Sequence, residues 1–458
     1  MNKIEIRPLD PQRFNALAGY TRSPAAGYFS EELEWYVNED ESLIGVLLLD
    51  TVDNDFAAIV LVRDEGGRFR AFDIKCSIPS ANEARTWLVG ALTWHTGMSV
   101  KVFPQGDVRK SVDLFSPVAP MEILNPAFVL LSRERVFHSA RSIINEIAPH
   151  YLDIDGNYVE QFQTDGFDAR LWELYIHAYL TEEQLFVERP KPSPDFIVRK
   201  YGQSVAIEAT IVGRKADNPR SYFRMDPTTP DAAEVLRLHA NEMPMRFGSP
   251  LYSKLQKRYW EKEQIAGMPF VLAIADFHDD QSMLWSGTAL INYLYGVRHD
   301  FRHDESGQLI ISPIKIEKHV VGGKEIPSGF FFQPEAENIS AVLFSASGTV
   351  SKFNRIGRQA GYADPGVVIV RQGTCHDHDP NASLPNFFRY VVDETKQETW
   401  AEGISIFHNP RALRPAPREL FPSVAHHRFD DGLIVSDLPD FHPYASVTMN
   451  FSIKDANA

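Results

Sequence analysis

The residues of this chain with the clearest chemical potential are Asp195 and Glu208, in the stretch SPDFIVRKYGQSVAIEAT at 193–210. If Tyr201 and Gly202 form a two-residue turn, the strands on either side pair so that Asp195 faces Glu208. The alternation supports this register. Phe196, Val198, Val205, Ile207 and Ile211 occupy one face, expected to pack, while Asp195, Arg199, Ser204, Glu208 and Thr210 occupy the other, expected to do work or meet water. Opposed carboxylates repel unless something positive lies between them. A divalent cation meets that need, because Mg²⁺ takes one or two carboxylates together with waters and phosphate oxygens. The competing reading is a surface cluster neutralised by Arg199, Arg214 or Lys215.

The elements around the hairpin read as a mixed α/β layer. Helices are expected in VFHSARSIINEIAPHYL and FDARLWELYIHAYL, then strands in QLFVE, DFIVR and VAIEATIV. A polar excursion near 213–249 follows, then the helix SPLYSKLQKRYWEKE and the strand PFVLAIADFH. From about 300, strand-like runs separated by Gly and Pro turns form a β-rich extension. Ahead of all this, residues 1–130 read as a smaller α+β accessory domain: a meander over 43–74 and a helix capped by Ser80 and Glu83 that ends at Gly97. The expected division is therefore 1–130 and 131–458.

With 458 residues, 44% hydrophobic and 23% charged, the chain has ample material for a folded core and carries no long disordered tract. Two cysteines, Cys76 and Cys375, are too few for a disulfide framework. No stretch suits a secretory signal or a membrane span, so a cytoplasmic protein with no membrane partner is expected. The net charge of −15 argues against a broad nucleic-acid surface. Local basic clusters in VRKYG, GRKADNPRSYFR and SKLQKRYW temper that objection, with Arg214, Lys215, Lys257 and Lys352 as candidate phosphate contacts.

Three further stretches carry polar groups. FSASGTVSKFNRIGRQAG at 344–361 reads as a polar turn, with a phosphate loop as the alternative reading of Lys352, Asn354, Arg355 and Arg358. CHDHDP at 375–380 brings Cys375, His376 and His378 together, yet its only partner pair is His426 and His427, so an exposed loop is expected rather than zinc. DFHDD at 276–280 reads as a strand end entering a polar turn.

Pro194, Asp195, Glu208 and the position two further on resemble the signature of the PD-(D/E)xK nuclease superfamily, over residues 140–278. The resemblance implies a restriction-endonuclease-like fold, a mixed sheet flanked by helices. It also implies Mg²⁺- or Mn²⁺-assisted hydrolysis of phosphodiesters, usually in DNA, and it leaves room for a homodimer. Many members carry a glutamate on the first helix, and Glu173 matches that place as a further metal-supporting residue. The chain also resembles a group of bacterial proteins to which no activity is attached. Thr210 stands where the family has lysine, and a hydroxyl supplies no positive charge.

The expected substitute is Lys254. Leu251, Leu255 and Tyr259 recur at i, i+4 and i+8 and define a packing stripe. At about 100° per residue, Lys254 lies at the edge of that stripe and Lys257 on the far side. Arg258 also lies near the stripe, but it cannot serve as a base. The reading is thus a metal-dependent nuclease with Asp195, Glu208, Glu173 and Lys254 at its site. Two alternatives stay open: an inactive nucleic-acid or protein binding module on the same fold, and a hydrolase of another phosphate ester such as a nucleotide.

Overall fold

The computed structural model describes residues 4–98, 101–106, 112–214 and 231–453; Lys215 and residues 216–230 of the polar excursion lie outside them. The chain opens with a five-stranded antiparallel sheet in sequential order: β1 (Ile6–Pro8), β2 (Ser30–Asn38), β3 (Leu43–Asp50), β4 (Asp55–Arg63) and β5 (Phe69–Ile78). Helix α1 (Pro11–Ala18) follows β1, and α2 (Ala81–Gly97) follows β5. Ser80 caps α2 as read, its Oγ accepting from the Glu83 amide at 3.3 Å, while the Glu83 carboxylate accepts from the Ser80 hydroxyl at 3.1 Å. Ala84, Leu88 and Leu92 of α2 pack on Leu43, Leu47, Val60 and Val62. Gly45 permits this approach, since a Cβ there would come within 2.9 Å of Leu88 and Leu92. Phe14 and Leu17 of α1 cover the opposite face over Val46 and Leu61. Strands β1 and β2 are absent from the sequence reading. Glu31, Glu32 and Glu34 blur the alternation of β2, and its register is interrupted between Glu32 and Glu34.

Helices α3 (Pro126–Arg133), α4 (His138–Ile147), α5 (Tyr158–Gln163) and α6 (Phe167–Glu182) lead into the main body. Helix α3 crosses the expected boundary at 130/131, and its Phe128 and Leu131 pack in the same cluster as Val112 and Leu114 and the side chains of α6. Then come β6 (Phe186–Glu188), β7 (Phe196–Lys200), β8 (Gln203–Val212), α7 (Ala232–Arg237), α8 (Met243–Gln256), β9 (Phe270–Asp276) and α9 (Gly287–Tyr295). Two hairpins project next, β10 (Val297–His303) with β11 (Leu309–Lys315) and β12 (Lys318–Val321) with β13 (Lys324–Pro327). The last part comprises β14 (Ala341–Ser345), α10 (Val350–Gln359), β15 (Val367–Cys375), β16 (Asn386–Val391), β17 (Ile404–His408), β18 (Ala425–Asp430), β19 (Leu433–Asp437) and β20 (Pro443–Ser452).

The central sheet has eight strands in the order β19-β18-β17-β14-β9-β8-β7-β6. Strands β8, β9 and β14 run parallel, and β7 and β6 add an antiparallel edge. Helices cover both faces, giving a mixed α/β architecture. On one face Ile143, Trp172 and Phe353 pack against Phe196, Ile207, Ala273 and Leu343. On the other, Leu251, Leu255 and Leu290 pack against Ile197, Ala206, Leu272 and Val342. Two expectations are corrected. The face of the hairpin assigned to work or water is itself largely covered, with Ile197 at 1% exposure and Ala206 at 0%. The residues beyond 300 do not form a mere extension: β14, β17, β18 and β19 build half of the central sheet, because parallel β14 finds its partner in β9. Among the described residues no helix is long and apolar enough to cross a membrane.

Candidate active site

The hairpin turn sets the site. Tyr201 and Gly202 both adopt positive φ, 54° and 74°, the conformation of a type I′ turn whose twist matches its strands. The register runs from Lys200 opposite Gln203 to Phe196 opposite Ile207, and one step further it sets Asp195 across from Glu208. Alternation puts Asp195, Glu208 and Thr210 on the α8 side of the sheet, with Ile197 and Ala206. Asp195 Oδ2 accepts from the amide of Ala209 at 2.7 Å. Ser193 Oγ donates to Glu208 Oε2 at 3.2 Å, and Gln264 Nε2 holds the Ser193 carbonyl at 2.9 Å.

Lys254 arrives from α8. Leu251 and Leu255 anchor the helix at 0% exposure, and Lys254 Nζ donates to Glu208 Oε1 at 2.6 Å. The side chain is 18% exposed and that of Glu208 is 6% exposed, so the pair forms at a partly desolvated sheet surface. Helix α8 starts at Met243, earlier than the sequence reading places it, since Met243 and Phe247 extend its buried stripe. It also stops earlier, at Gln256. Arg258 takes a left-handed conformation at φ 47° and pairs with Glu261 at 2.8 Å and with Glu335, so it does not serve the acids. Lys257 is exposed at the helix end.

Burial, then the negative charges of Glu173 and Glu208, pushes the Asp195 carboxyl up to about 8, against the opposing pull of the Ala209 amide and Arg189. Burial and the neighbouring Glu208 raise the Tyr259 phenol in the same region above its ordinary value. Glu173, on α6, is close enough to Asp195 to act on its charge, but its oxygens are already engaged. Arg170 Nη1 donates to them at 2.7 and 2.9 Å, and Tyr151 donates its hydroxyl at 2.6 Å. Arg189 adds a contact at 3.9 Å and also bonds Tyr151. Glu173 is thus held as a structural neighbour of Asp195 rather than as an open oxygen donor.

Among the described residues no group of three or more His, Cys, Asp or Glu side chains is arranged to hold a metal ion. Asp195 and Glu208 are the two carboxylates at this site that could hold a cation. That donor set suits Mg²⁺ or Mn²⁺ and not a softer ion.

The other nominated groups lie elsewhere. Lys352 is not a phosphate contact: it is 0% exposed and pairs with Glu398 at 2.8 Å. The stretch 344–361 is the end of β14 followed by helix α10, not a turn. Arg214 pairs with Asp280 at 2.6 Å. In the 375–380 loop, His376 bonds Tyr444 at 2.9 Å and His378 bonds the Asp440 carbonyl at 2.7 Å, while His426 bonds His408 at 2.9 Å. Strand β9 ends at Asp276, whose Oδ1 lies 2.7 Å from His278 Nδ1.

Tyr151, Arg170, Arg189 and Ser193 complete the surroundings and were not singled out from sequence, and Tyr259, read there only as a packing residue, joins them. Arg170 had a local signal, lying three residues before Glu173 on one helix face. Arg189 and Tyr151 had none, because each arrives through the tertiary fold. Compared with known proteins, the chain matches no family model, no curated protein and no solved structure.

Proposed function

We propose that this chain is a divalent-metal-dependent phosphodiester hydrolase with a restriction-endonuclease-like core, acting on DNA. The observation that carries the reading is the contact of Lys254 Nζ with Glu208 Oε1 at 2.6 Å, across 46 residues of sequence. It brings an ammonium to a carboxylate pair whose own strand offers only Thr210. The order of α6, the β7–β8 hairpin, α8 and β9 agrees with the core that the superfamily resemblance implies. Asp195 and Glu208 would hold Mg²⁺ or Mn²⁺, and the ion supplies neutralisation of charge on the phosphate and a more acidic water. Lys254, at the rim of the pair, orients a water beside Glu208 and supports negative charge on the phosphate. Ser193 and the Ala209 amide fix the two carboxylates in place, and the Arg170–Tyr151 pair keeps Glu173 from rotating into the site.

The test is calorimetric titration of Mg²⁺ or Mn²⁺, followed by single-turnover cleavage of plasmid and oligonucleotide substrates. Metal binding and cleavage that both vanish in Asp195→Ala and Glu208→Ala support the reading; cleavage at the native rate in either variant overturns it. The Lys254–Glu208 pair also suits a closed ion pair on a non-catalytic binding module. Salt-sensitive DNA binding with no cleavage and no metal binding selects that second reading.

A further inference from the structure

Between the N-terminal sheet domain and the main body lies a cavity of about 440 Å³, within the range of small-molecule sites. The last turn of α6 forms one wall with Ala178, Thr181 and Glu182, and Tyr20, Ile356 of α10 and Trp400 stand around it. None of Glu173, Asp195, Glu208 or Lys254 lines it. Glu182 is an exposed residue, yet protein surrounds it closely enough for burial to push its carboxyl up to about 7. Accessible surface on a group so enclosed belongs to a recess that a ligand can enter.

The recess is negative. Glu182 Oε2 accepts from the Ala401 amide at 2.9 Å, and among the described residues no cation pairs with the carboxylate. Lys352 acts on it from a distance but is committed to Glu398 at 2.8 Å. Helix α6 ends at Glu182 with no basic residue in its last turn, so the negative end of the helix dipole adds to the carboxylate. The other charged groups of the wall are matched: Arg355 also holds Glu398, at 2.7 Å, and Glu32 holds Arg22 at 2.6 Å. Tyr20 places an aromatic ring beside the acid. Burial, then the charge of Glu182, raises its phenol, and the residue is only half-buried. A ring face next to a carboxylate attracts a cation through its quadrupole as well as through the charge. Half-buried Ile356 adds apolar surface.

We propose that this cavity binds a small organic ammonium ion with a single positive charge, which pairs with the Glu182 carboxylate while its carbon body lies against Tyr20 and Ile356. One acid matches one charge, and a bound cation favours the ionised form of Glu182. The site is independent of the metal chemistry proposed for the carboxylate pair.

Calorimetry of the full chain in EDTA tests it. Phenethylamine probes a primary ammonium, choline a quaternary one, and 2-phenylethanol offers the body of phenethylamine without its charge. Saturable one-to-one binding of either cation, about tenfold or more tighter than the alcohol, is expected. Glu182→Gln should weaken it about tenfold or more, and so should Thr181→Lys, which puts a competing ammonium on the same wall. Glu208→Ala should leave it unchanged, which separates this cavity from the carboxylate pair. The tighter of the two cations names the kind of ammonium. Thr181 lies in the last helical turn, where lysine is favoured, so Thr181→Lys and the alcohol comparison decide the matter if Glu182→Gln does not fold. Absence of saturation by both cations at millimolar concentration, equal binding of the alcohol, or binding that Thr181→Lys leaves unchanged overturns the proposal.

Discussion

Two clusters of opposite charges in this molecule use the same ingredients to opposite ends. Around α10, Lys352, Arg355 and Arg371 surround Glu398 and Glu402, with contacts of 2.8, 2.7 and 2.5 Å for Lys352–Glu398, Arg355–Glu398 and Arg371–Glu402. Lys352 and Arg371 are fully buried there, and the three cations hold the Glu398 carboxyl well below the usual carboxylate range. At the hairpin, Lys254 pairs with Glu208, and Asp195 beside them is pushed up to about 8 by burial and two neighbouring acids. The first cluster is saturated with cations and closed to solvent, which suits a device that locks α10 to the strands around it. The second sets three acids, Asp195, Glu208 and Glu173, against three cations, Lys254, Arg170 and Arg189, with both arginines drawn to Glu173, which suits a place where Asp195 gains from an added cation. Net charge balance, more than the presence of ionisable groups, separates the two.

Removing one acid from each cluster breaks the comparison most directly. Asp195→Ala or Glu208→Ala should lower divalent-dependent cleavage by on the order of 10³-fold, as expected for loss of several kcal/mol of charge stabilisation, while circular dichroism stays native. Glu398→Ala should instead cost about 3–5 kcal/mol of stability in urea melts, because it strands buried cations. Equal destabilisation by the two kinds of variant would erase the distinction.

Lys254 sharpens it. Lys254→Ala should reduce single-turnover cleavage by about 10²-fold and Lys257→Ala should leave it unchanged. Adding Thr210→Lys to Lys254→Ala should restore part of the loss, and an unaffected Lys254→Ala enzyme would remove the lysine from the site.

The pH dependence is a finer test. Asp195 is ordinarily ionised above about 4 in an unfolded chain, whereas the folded protein holds its proton up to about 8. The folded state therefore binds more protons across that window, so this group makes the metal-free protein less stable as pH rises from about 4 to 8. Asp195→Asn should flatten that slope in thermal melts. Its smallest expected effect is a rise of about 2–4 °C in the Tm of the metal-free protein near neutral pH, and added Mg²⁺ should raise the native Tm but not that of the variant.

Local patterns were enough for much of the hairpin and its helices. The Ser80–Glu83 cap, the Tyr201–Gly202 turn and the resulting facing of Asp195 and Glu208 all follow from residues within one element or one hairpin. Leu251 and Leu255 likewise placed Lys254 toward the acids, since helical phase is set by consecutive residues, while Tyr259 falls beyond the end of the helix. Arg258 was misplaced because the helix ends two residues before it, an event governed by a single left-handed residue.

What the sequence by itself determined is therefore short-range: which segments are strands or helices, where they are capped and which side chains share a face. The tertiary structure alone decided that β14 joins β9 and brings β17, β18 and β19 into the central sheet, while β15, β16 and β20 form a sheet of their own. It alone turned Lys352 and Arg355 from a basic surface motif into a buried lock, and tied Glu173 to Arg170 and Tyr151. The physical reason is that strand partners and the burial of a charge depend on groups brought from far along the chain. Periodicity records how a residue relates to its neighbours in sequence, and it carries no record of what will cover it.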